Sequence, residues 1–335
     1  MRSAIFMGAG KPLAIQDRAI PRPGPDQALI RVERCGICGS DLHMTSGSPF
    51  DVPHGTALGH EYAGEVVEIG PGEGRLRTGD RVTALPISGC GACPACLADT
   101  PLHCVSMQSM QGGYGEYTLI DQRQAVRLPQ SLSFDDGALI EPLASGLRGV
   151  RKLGGLEGRR VAVIGAGAIG AAAIFWARRF GAGRIAVIAR GDRNRKLAQT
   201  VGTDAFLTLG EGLGERLEDA LGGKADVVIE GAGAQGAIRQ AIDIVRTGGA
   251  ILSLGGCIVP DTILPVMAMI KEVDLRFSVA YGLRDFREAV EAFDAGHVSP
   301  RAMIGETIGL DALPGRFESM RHASHPAKVM VKPHA

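Results

Sequence analysis

A short run with no polar position, Val161-Ala162-Val163-Ile164, leads straight into Gly165-Ala166-Gly167-Ala168-Ile169-Gly170 and then into an alanine-rich stretch with helical character. This junction constrains the fold more than any other segment. A wholly apolar strand is buried on both faces, which is the position of a strand in a parallel sheet covered by helices. The glycines specify the turn that follows. The first permits a tight bend, the second lets a pyrophosphate approach the backbone, and the third lets helix and strand pack closely. The helix then offers its unpaired N–H groups to the phosphates. Three glycines alone are a weak signal; a strand before and a helix after make it a strong one.

The same alternation recurs at Ile185-Ala186-Val187-Ile188, Asp226-Val227-Val228-Ile229 and Ala250-Ile251-Leu252-Ser253-Leu254, with helices predicted over 193–201 and 236–245. Strands alternating with helices make an α/β fold, here a doubly wound parallel sheet of Rossmann type over 143–282. Gly165, Gly167, Ile169 and Gly170 are the expected pyrophosphate contacts. Gly231, in Glu230-Gly231-Ala232-Gly233, and Gly255 follow later strands and are expected to border the coenzyme. Cys257 is expected to be buried.

The second strand bears on the choice of coenzyme. An NAD site carries Asp or Glu near that strand's end to hold the ribose 2′-hydroxyl. Here the strand ends Ile188-Ala189-Arg190, with no acid. Ala189 leaves space, Arg190 offers a planar cation to a 2′-phosphate, and Arg193 and Arg195 add charge. Asp192 lies past the strand and is expected to cap the next helix. The expectation is NADP in preference to NAD.

Residues 1–142 read as short strands and turns, for example Ala28–Val32 and Gly64–Ile69, and Lys328–Val331 reads as a closing strand that returns to them. The expected division is therefore 1–142 completed by 283–335, with 143–282 inserted. A length of 335 residues suits two domains. Lys+Arg and Asp+Glu are both 36, so the chain has no excess charge with which to attract nucleic acid or an anionic membrane. No segment approaches the ~20 apolar residues of a membrane helix, and the start shows no signal-peptide pattern. A cytoplasmic location is expected.

Four of the seven cysteines form Cys90-x2-Cys93-x2-Cys96-x7-Cys104. Four thiolates on one loop fill a tetrahedral structural zinc site and leave no open position. Two disulfides or a redox pair are the alternatives, and a cytoplasmic chain disfavours both. Cys38 and His60 offer a second, mixed set, with Glu61 or Glu141 as carboxylate. Three protein donors and one open position is how a catalytic zinc is built. Two zinc ions per chain are expected, one structural and one catalytic.

Five motifs in register, Cys35-Gly36-Ile37-Cys38-Gly39-Ser40-Asp41-Leu42-His43, Gly59-His60-Glu61, Gly79-Asp80-Arg81-Val82, the four-cysteine loop and the glycine motif, resemble those of the zinc-containing medium-chain alcohol dehydrogenases. Ala138-Leu139-Ile140-Glu141-Pro142-Leu143 looks most like the sorbitol (polyol) dehydrogenase branch. The resemblance implies a β-rich, GroES-like catalytic domain. It implies Cys38 and His60 as zinc ligands, Glu141 in the third place, and Glu61 beside the metal and able to exchange with water. It treats Cys35 as a packed residue. It also implies a proton relay in which Ser40 lies beside the reacting oxygen and His43 leads to solvent, although Ser40 also suits a helix N-cap. Ala280, within Val279-Ala280-Tyr281, is implied to touch the nicotinamide. Lys328 is a candidate for the pyrophosphate or a solvated side chain.

The implied reaction is reversible oxidation of a secondary alcohol or polyol, with a small-molecule substrate and a homodimer or homotetramer as the assembly. A primary or aromatic alcohol substrate, zinc-free enone reduction and a catalytically silent coenzyme-binding relative are the competing readings. Met44 to Phe50, Gln111 to Tyr117 and Tyr281 are the expected pocket segments.

Overall fold

A computed structural model describes every residue except Glu73, Arg75, Ala323 and Ser324. The chain divides into two compact units, Met1–Ala144 with Tyr281–Ala335, and Ser145–Ala280.

In the second unit, six strands among the described residues form one parallel sheet. Their spatial order is Ala205–Thr208, Arg184–Ala189, Arg160–Ile164, Ala225–Glu230, Val245–Ser253, Asp274–Phe277. Counted along the chain this is third, second, first, fourth, fifth, sixth, the doubly wound Rossmann order. The order reverses between Arg160–Ile164 and Ala225–Glu230. Ligands of such sheets sit beyond the carboxyl ends of the strands at that reversal. Gly165 follows one of these two strands and Gly231 follows the other.

The helix Ala168–Arg179 lies after the first strand, and its Ala171, Ala172 and Ala173 are buried. Gly165 has φ +96°, a conformation that side chains resist. A Cβ on Gly170 would collide with the Gly165 carbonyl, whereas a Cβ on Gly167 would meet nothing within 4 Å. Two glycines therefore close the turn, and the third leaves open space at the helix N-terminus.

Several expectations about this unit need correction. The helix predicted over 193–201 is Arg195–Val201, and its N-cap is Asn194, not Asp192. Asp192 instead receives the Arg195 guanidinium at 2.5 Å. The helix predicted over 236–245 is Ala237–Ile244, because Val245 already pairs with Ala225 in the sheet. Cys257 is half-buried, since it lies past the glycine turn that ends the strand.

The first unit contains a sheet in the order Ile304–Gly309, Lys328–Lys332, Gln27–Gly36, Glu61–Ile69, Arg81–Ala84, Ala125–Arg127, with Tyr117–Asp121 also paired to Gln27–Gly36. Ile30, Val32, Tyr62, Val66, Val82, Tyr114, Phe317, Val329 and Val331 belong to its core. The closing strand lies inside this sheet, with Met330 opposite Gly36.

Three helices, Gly39–Met44, Pro94–Leu97 and Phe134–Lys152, contradict the reading of 1–142 as strands and turns. Phe134–Lys152 is a 19-residue helix with Pro142 inside it. Its start is a reciprocal cap, in which the Ser133 N–H donates to Asp136 at 2.7 Å and the Asp136 N–H donates to Ser133 Oγ at 3.1 Å. Asp135 and Asp136 stand in the first turn and Arg151 and Lys152 in the last, as the helix dipole favours. The proline removes a single donor, which these end effects and burial of the helix outweigh.

Candidate active site and metal centres

The strand pairing builds the first centre. Gly36 at the end of Gln27–Gly36 lies opposite Glu61 at the start of Glu61–Ile69. Three residues after Gly36 the helix Gly39–Met44 begins, with Cys38 in extended conformation as its N-cap. Ser40 is thus inside the helix and not its cap. Cys38, His60 and Glu61 each offer one donor atom, and these lie within 4.8 Å of one another. Ser40 Oγ donates to Cys38 Sγ at 3.2 Å and stands 3.5 Å from His60 Nε2. Glu141 Oε1 is 3.9 Å from His60 Nε2 but is not a member of the tight donor set.

The orientation of His60 depends on a residue to which the sequence reading gave no role. Asp41, fully buried, pairs with His60 Nδ1 at 3.1 Å and accepts the Tyr114 hydroxyl at 2.5 Å. This turns Nε2 toward Cys38, Ser40 and Glu141. Burial opposes protonation of His60, but Asp41 and Cys38 outweigh it and hold its pKa well above the usual imidazole range. The pocket therefore favours positive charge at the place where the donors converge. Asp41 stands in the motif as a carboxylate in the first turn of the helix that Cys38 caps.

The two carboxylates differ in their partners. Both oxygens of Glu61 accept from Lys328 Nζ, at 2.5 and 2.6 Å, and both side chains are buried. Lys328 is therefore not a solvated side chain, because the closing strand carries it inward. Glu141 is hydrogen-bonded to Tyr281 and packed among buried groups, and burial raises its pKa to about 7. Cys35 is fully buried, and burial pushes its thiol well above the ordinary range, as expected of a packed residue.

His43 lies three residues after Ser40 on the same helix. Its pKa is lowered by partial burial and by the cation of Arg321, which donates to Leu42 O and Thr45 Oγ1 at 2.5 Å each. The segment from Gln111 to Tyr117 is split, with Tyr114 reaching Asp41 and its two ends facing another cavity. Gln111, Gly112 and Tyr117 line a cavity of about 390 Å³ with Met1, Ser3 and Arg18. No donor of the first centre is among that cavity's lining residues, and the Tyr117 ring packs edge-on against His334 with centroids 5.7 Å apart.

The second centre is the four-cysteine loop. The sulfurs of Cys90, Cys93, Cys96 and Cys104 lie within 4.8 Å of one another, with Cys90–Cys96 at 4.0 Å and Cys93–Cys96 at 3.6 Å. A disulfide would need about 2.05 Å. Tetrahedral zinc with Zn–S near 2.3 Å places its sulfurs about 3.8 Å apart, so the separations fit four ligands of one ion. Cys93 caps the short helix Pro94–Leu97, and its N–H donates to Cys90 Sγ at 3.4 Å. The Cys90 and Ser106 N–H groups donate to Cys104 Sγ at 3.3 and 3.4 Å. A Cβ on Gly89 would stand 2.5 Å from Cys96 Sγ, so the loop needs glycine there.

In the parallel-sheet unit, Ala189 ends its strand half-buried and Arg190 is exposed. Arg195 is engaged by Asp192, by the Phe206 carbonyl at 3.1 Å and by the Phe206 ring at 4.6 Å. Glu230 is buried and accepts the N–H groups of Ala232 and Gly233, each at 2.7 Å. It thereby fixes the turn that carries Gly231. Gly255 packs so closely on Gly233 that a Cβ would collide. Ala280 has φ +54°, a strained conformation for a residue with a side chain.

Comparison with known proteins adds the following. Residues 24–130 match the alcohol dehydrogenase GroES-like domain and residues 168–295 match the zinc-binding dehydrogenase domain. The chain is 30% identical to D-xylulose reductase A of Aspergillus niger over 322 residues, covering 91% of this chain and 90% of that one. It is 28% identical to sorbitol dehydrogenase of Gallus gallus, covering 98% and 96%. A protein of Sinorhizobium meliloti 1021 whose crystal structure holds NADP superimposes with a TM-score of 0.89 at 32% identity, covering 99% of both chains. No described helix is long and apolar enough to cross a membrane.

Proposed function

This chain belongs to the zinc-dependent medium-chain alcohol dehydrogenases, in their polyol branch, and we propose that it interconverts a secondary alcohol or polyol with the matching ketone or aldehyde, using NAD(P). The observation that carries this reading is the convergence of Cys38, His60 and Glu61 within 4.8 Å beside the Ser40 hydroxyl. A thiolate, an imidazole and a carboxylate are a donor set suited to zinc. Zinc bound there would lower the pKa of an alcohol hydroxyl, and the nicotinamide would accept hydride from the carbinol carbon.

The chain's own residues do the rest. Asp41 fixes the His60 tautomer, so that Nε2 is the donor. Cys38 and His60 would hold the ion, Glu141, tied to Tyr281, would supply the third donor, and Glu61 stands beside them as the exchangeable carboxylate. Ser40 takes up the substrate's hydroxyl proton, and His43 on the same helical face passes it outward. The four cysteines would hold a second zinc as its only protein ligands, with a structural task.

The Rossmann-type unit binds the coenzyme through Gly165, Gly167, Ile169, Gly170, Gly231, Gly255 and Ala280. Absence of an acid at Ala189 and exposure of Arg190 support NADP over NAD. A homo-oligomer is supported by an apolar edge. Val266, Met269, Ile270, Leu275, Phe277 and Val279 are exposed on and around the outermost strand of the parallel sheet. Reduced cysteines in a zinc-binding spacing support a cytoplasmic location.

The test is a screen of polyols and secondary alcohols against both coenzymes, read by absorbance of the reduced form, on protein assayed for zinc. Turnover lost on Cys38→Ser is the expected outcome. A two-zinc protein that turns over no polyol or secondary alcohol would overturn the reading.

A further inference from the structure

Lys328 is the one fully enclosed cation at the first centre among the described residues, and the mechanism above gives it no part. Its Nζ reaches both Glu61 oxygens at 2.5 and 2.6 Å and the Ile37 carbonyl at 3.3 Å. The side chains of Lys328 and Glu61 are 3% and 1% exposed, so water neither screens the pair nor competes with it. The strands are arranged to house it. Met330 lies opposite Gly36 and Gly36 opposite Glu61, and a Cβ on Gly36 would collide with Glu61 Oε2 and press on the Lys328 side chain.

We propose that Lys328 is a positioning residue that keeps Glu61 a labile donor at the metal centre, so that the ion retains an open position. The inference rests on the zinc reading given above. An ammonium on both oxygens takes one lone pair of each and offsets the carboxylate's charge, so Glu61 competes less well for a divalent ion. With Lys328 replaced by an apolar side chain, a bare buried carboxylate would face that ion and bind it more tightly. The sign distinguishes this role from a merely structural one. Loss of a structural lysine loosens the site, whereas loss of this lysine tightens it.

The experiment uses the full-length, zinc-loaded chain and its cobalt(II)-substituted form. Release of the Cys38-dependent ion to a chromophoric chelator is timed, with Cys38→Ser identifying which phase belongs to that ion. Lys328→Met is expected to slow this release at least about tenfold, to shift the visible cobalt bands toward a filled coordination shell, and to reduce turnover. Lys328→Arg keeps a cation on the carboxylate and should release the ion at the wild-type rate. Lys328→Met with Glu61→Gln should abolish the slowing.

Glu61→Gln alone keeps an acceptor for the ammonium, and its folding does not depend on an apolar side chain at 328. It should leave release within about twofold of wild type. Equal or faster release from Lys328→Met overturns the proposal. So does a tenfold acceleration in Glu61→Gln, which would make Glu61 a full donor despite the lysine. A wild-type chain with no Cys38-dependent ion overturns the zinc reading itself, and the proposal with it.

Discussion

The two thiol-bearing centres of this chain are built on opposite plans. The four-cysteine centre draws every donor from the segment between Cys90 and Cys104, and its sulfurs are steadied by backbone N–H groups of the same loop. The other takes Cys38 from a helix cap, His60 and Glu61 from a strand start, Glu141 from a long helix and Lys328 from the closing strand. Its surroundings are charged: Asp41 on His60, Lys328 on Glu61. A site that only has to hold an ion can be local and chemically uniform. One that must hold an ion and leave room for substrate needs unlike donors, each with its own restraining partner.

The sharpest way to break this comparison is a pair of cysteine substitutions. Cys38→Ser should lower kcat/KM by at least about 10³-fold, because transition-state stabilisation at the metal is lost. Its thermal midpoint should move little. Cys96→Ser should do the reverse. Zinc content should fall by one equivalent, and the midpoint should drop by about 2–4 °C for each kcal/mol lost, with residual turnover in whatever stays folded. Metal analysis, melting and steady-state rates on both variants decide the matter. If Cys96→Ser abolished turnover in fully folded protein, the division of labour would be wrong.

A second effect, smaller and dependent on pH, comes from His43. Burial and the Arg321 cation lower its pKa, so the ring is neutral and able to accept a proton from below its ordinary titration range upward. In the wild type, alcohol oxidation should fall only as pH drops through that lowered pKa. His43→Ala removes the acceptor at every pH, but hydroxide can replace it in alkaline solution. The loss should therefore be greatest near neutrality, about 10- to 100-fold, and should shrink as pH rises. The pH dependence of kcat/KM in both proteins checks this, and identical profiles would remove His43 from the relay.

What was legible in the sequence follows the same contrast. The glycine motif and the four-cysteine loop act through neighbours in the chain, so spacing alone disclosed them. Lys328 and Glu61 are 267 residues apart and meet only because the closing strand pairs beside Gly36. No local pattern marks Lys328 as buried, and a lysine next to a strand reads as solvated. The contact between Asp41 and Tyr114 was hidden in the same way, joining residues 73 apart at 2.5 Å. The helix Phe134–Lys152 was missed because Pro142 argues against a helix, while the Ser133 and Asp136 cap argues for one. Asp192 was assigned to a cap because its type suits one, yet it is spent on Arg195.

That last pairing sharpens the smallest prediction, which concerns the coenzyme. Three arginines follow the second strand of the parallel sheet, and by charge alone they are interchangeable. In the fold they are not. Arg195 is tied to Asp192, to the Phe206 carbonyl and to the Phe206 ring, so its replacement should cost stability and affect both coenzymes alike. Arg190 is exposed at the strand end, where a ribose 2′-substituent is read. Arg190→Ala should lower kcat/KM for NADP about tenfold, the equivalent of one charge-assisted contact, and leave NAD nearly unchanged. Measuring both coenzymes on Arg190→Ala and Arg195→Ala separates a specificity contact from a structural one. A wild-type preference for NAD, or an equal loss with both coenzymes in Arg190→Ala, would return Arg190 to the solvent-facing majority of arginines.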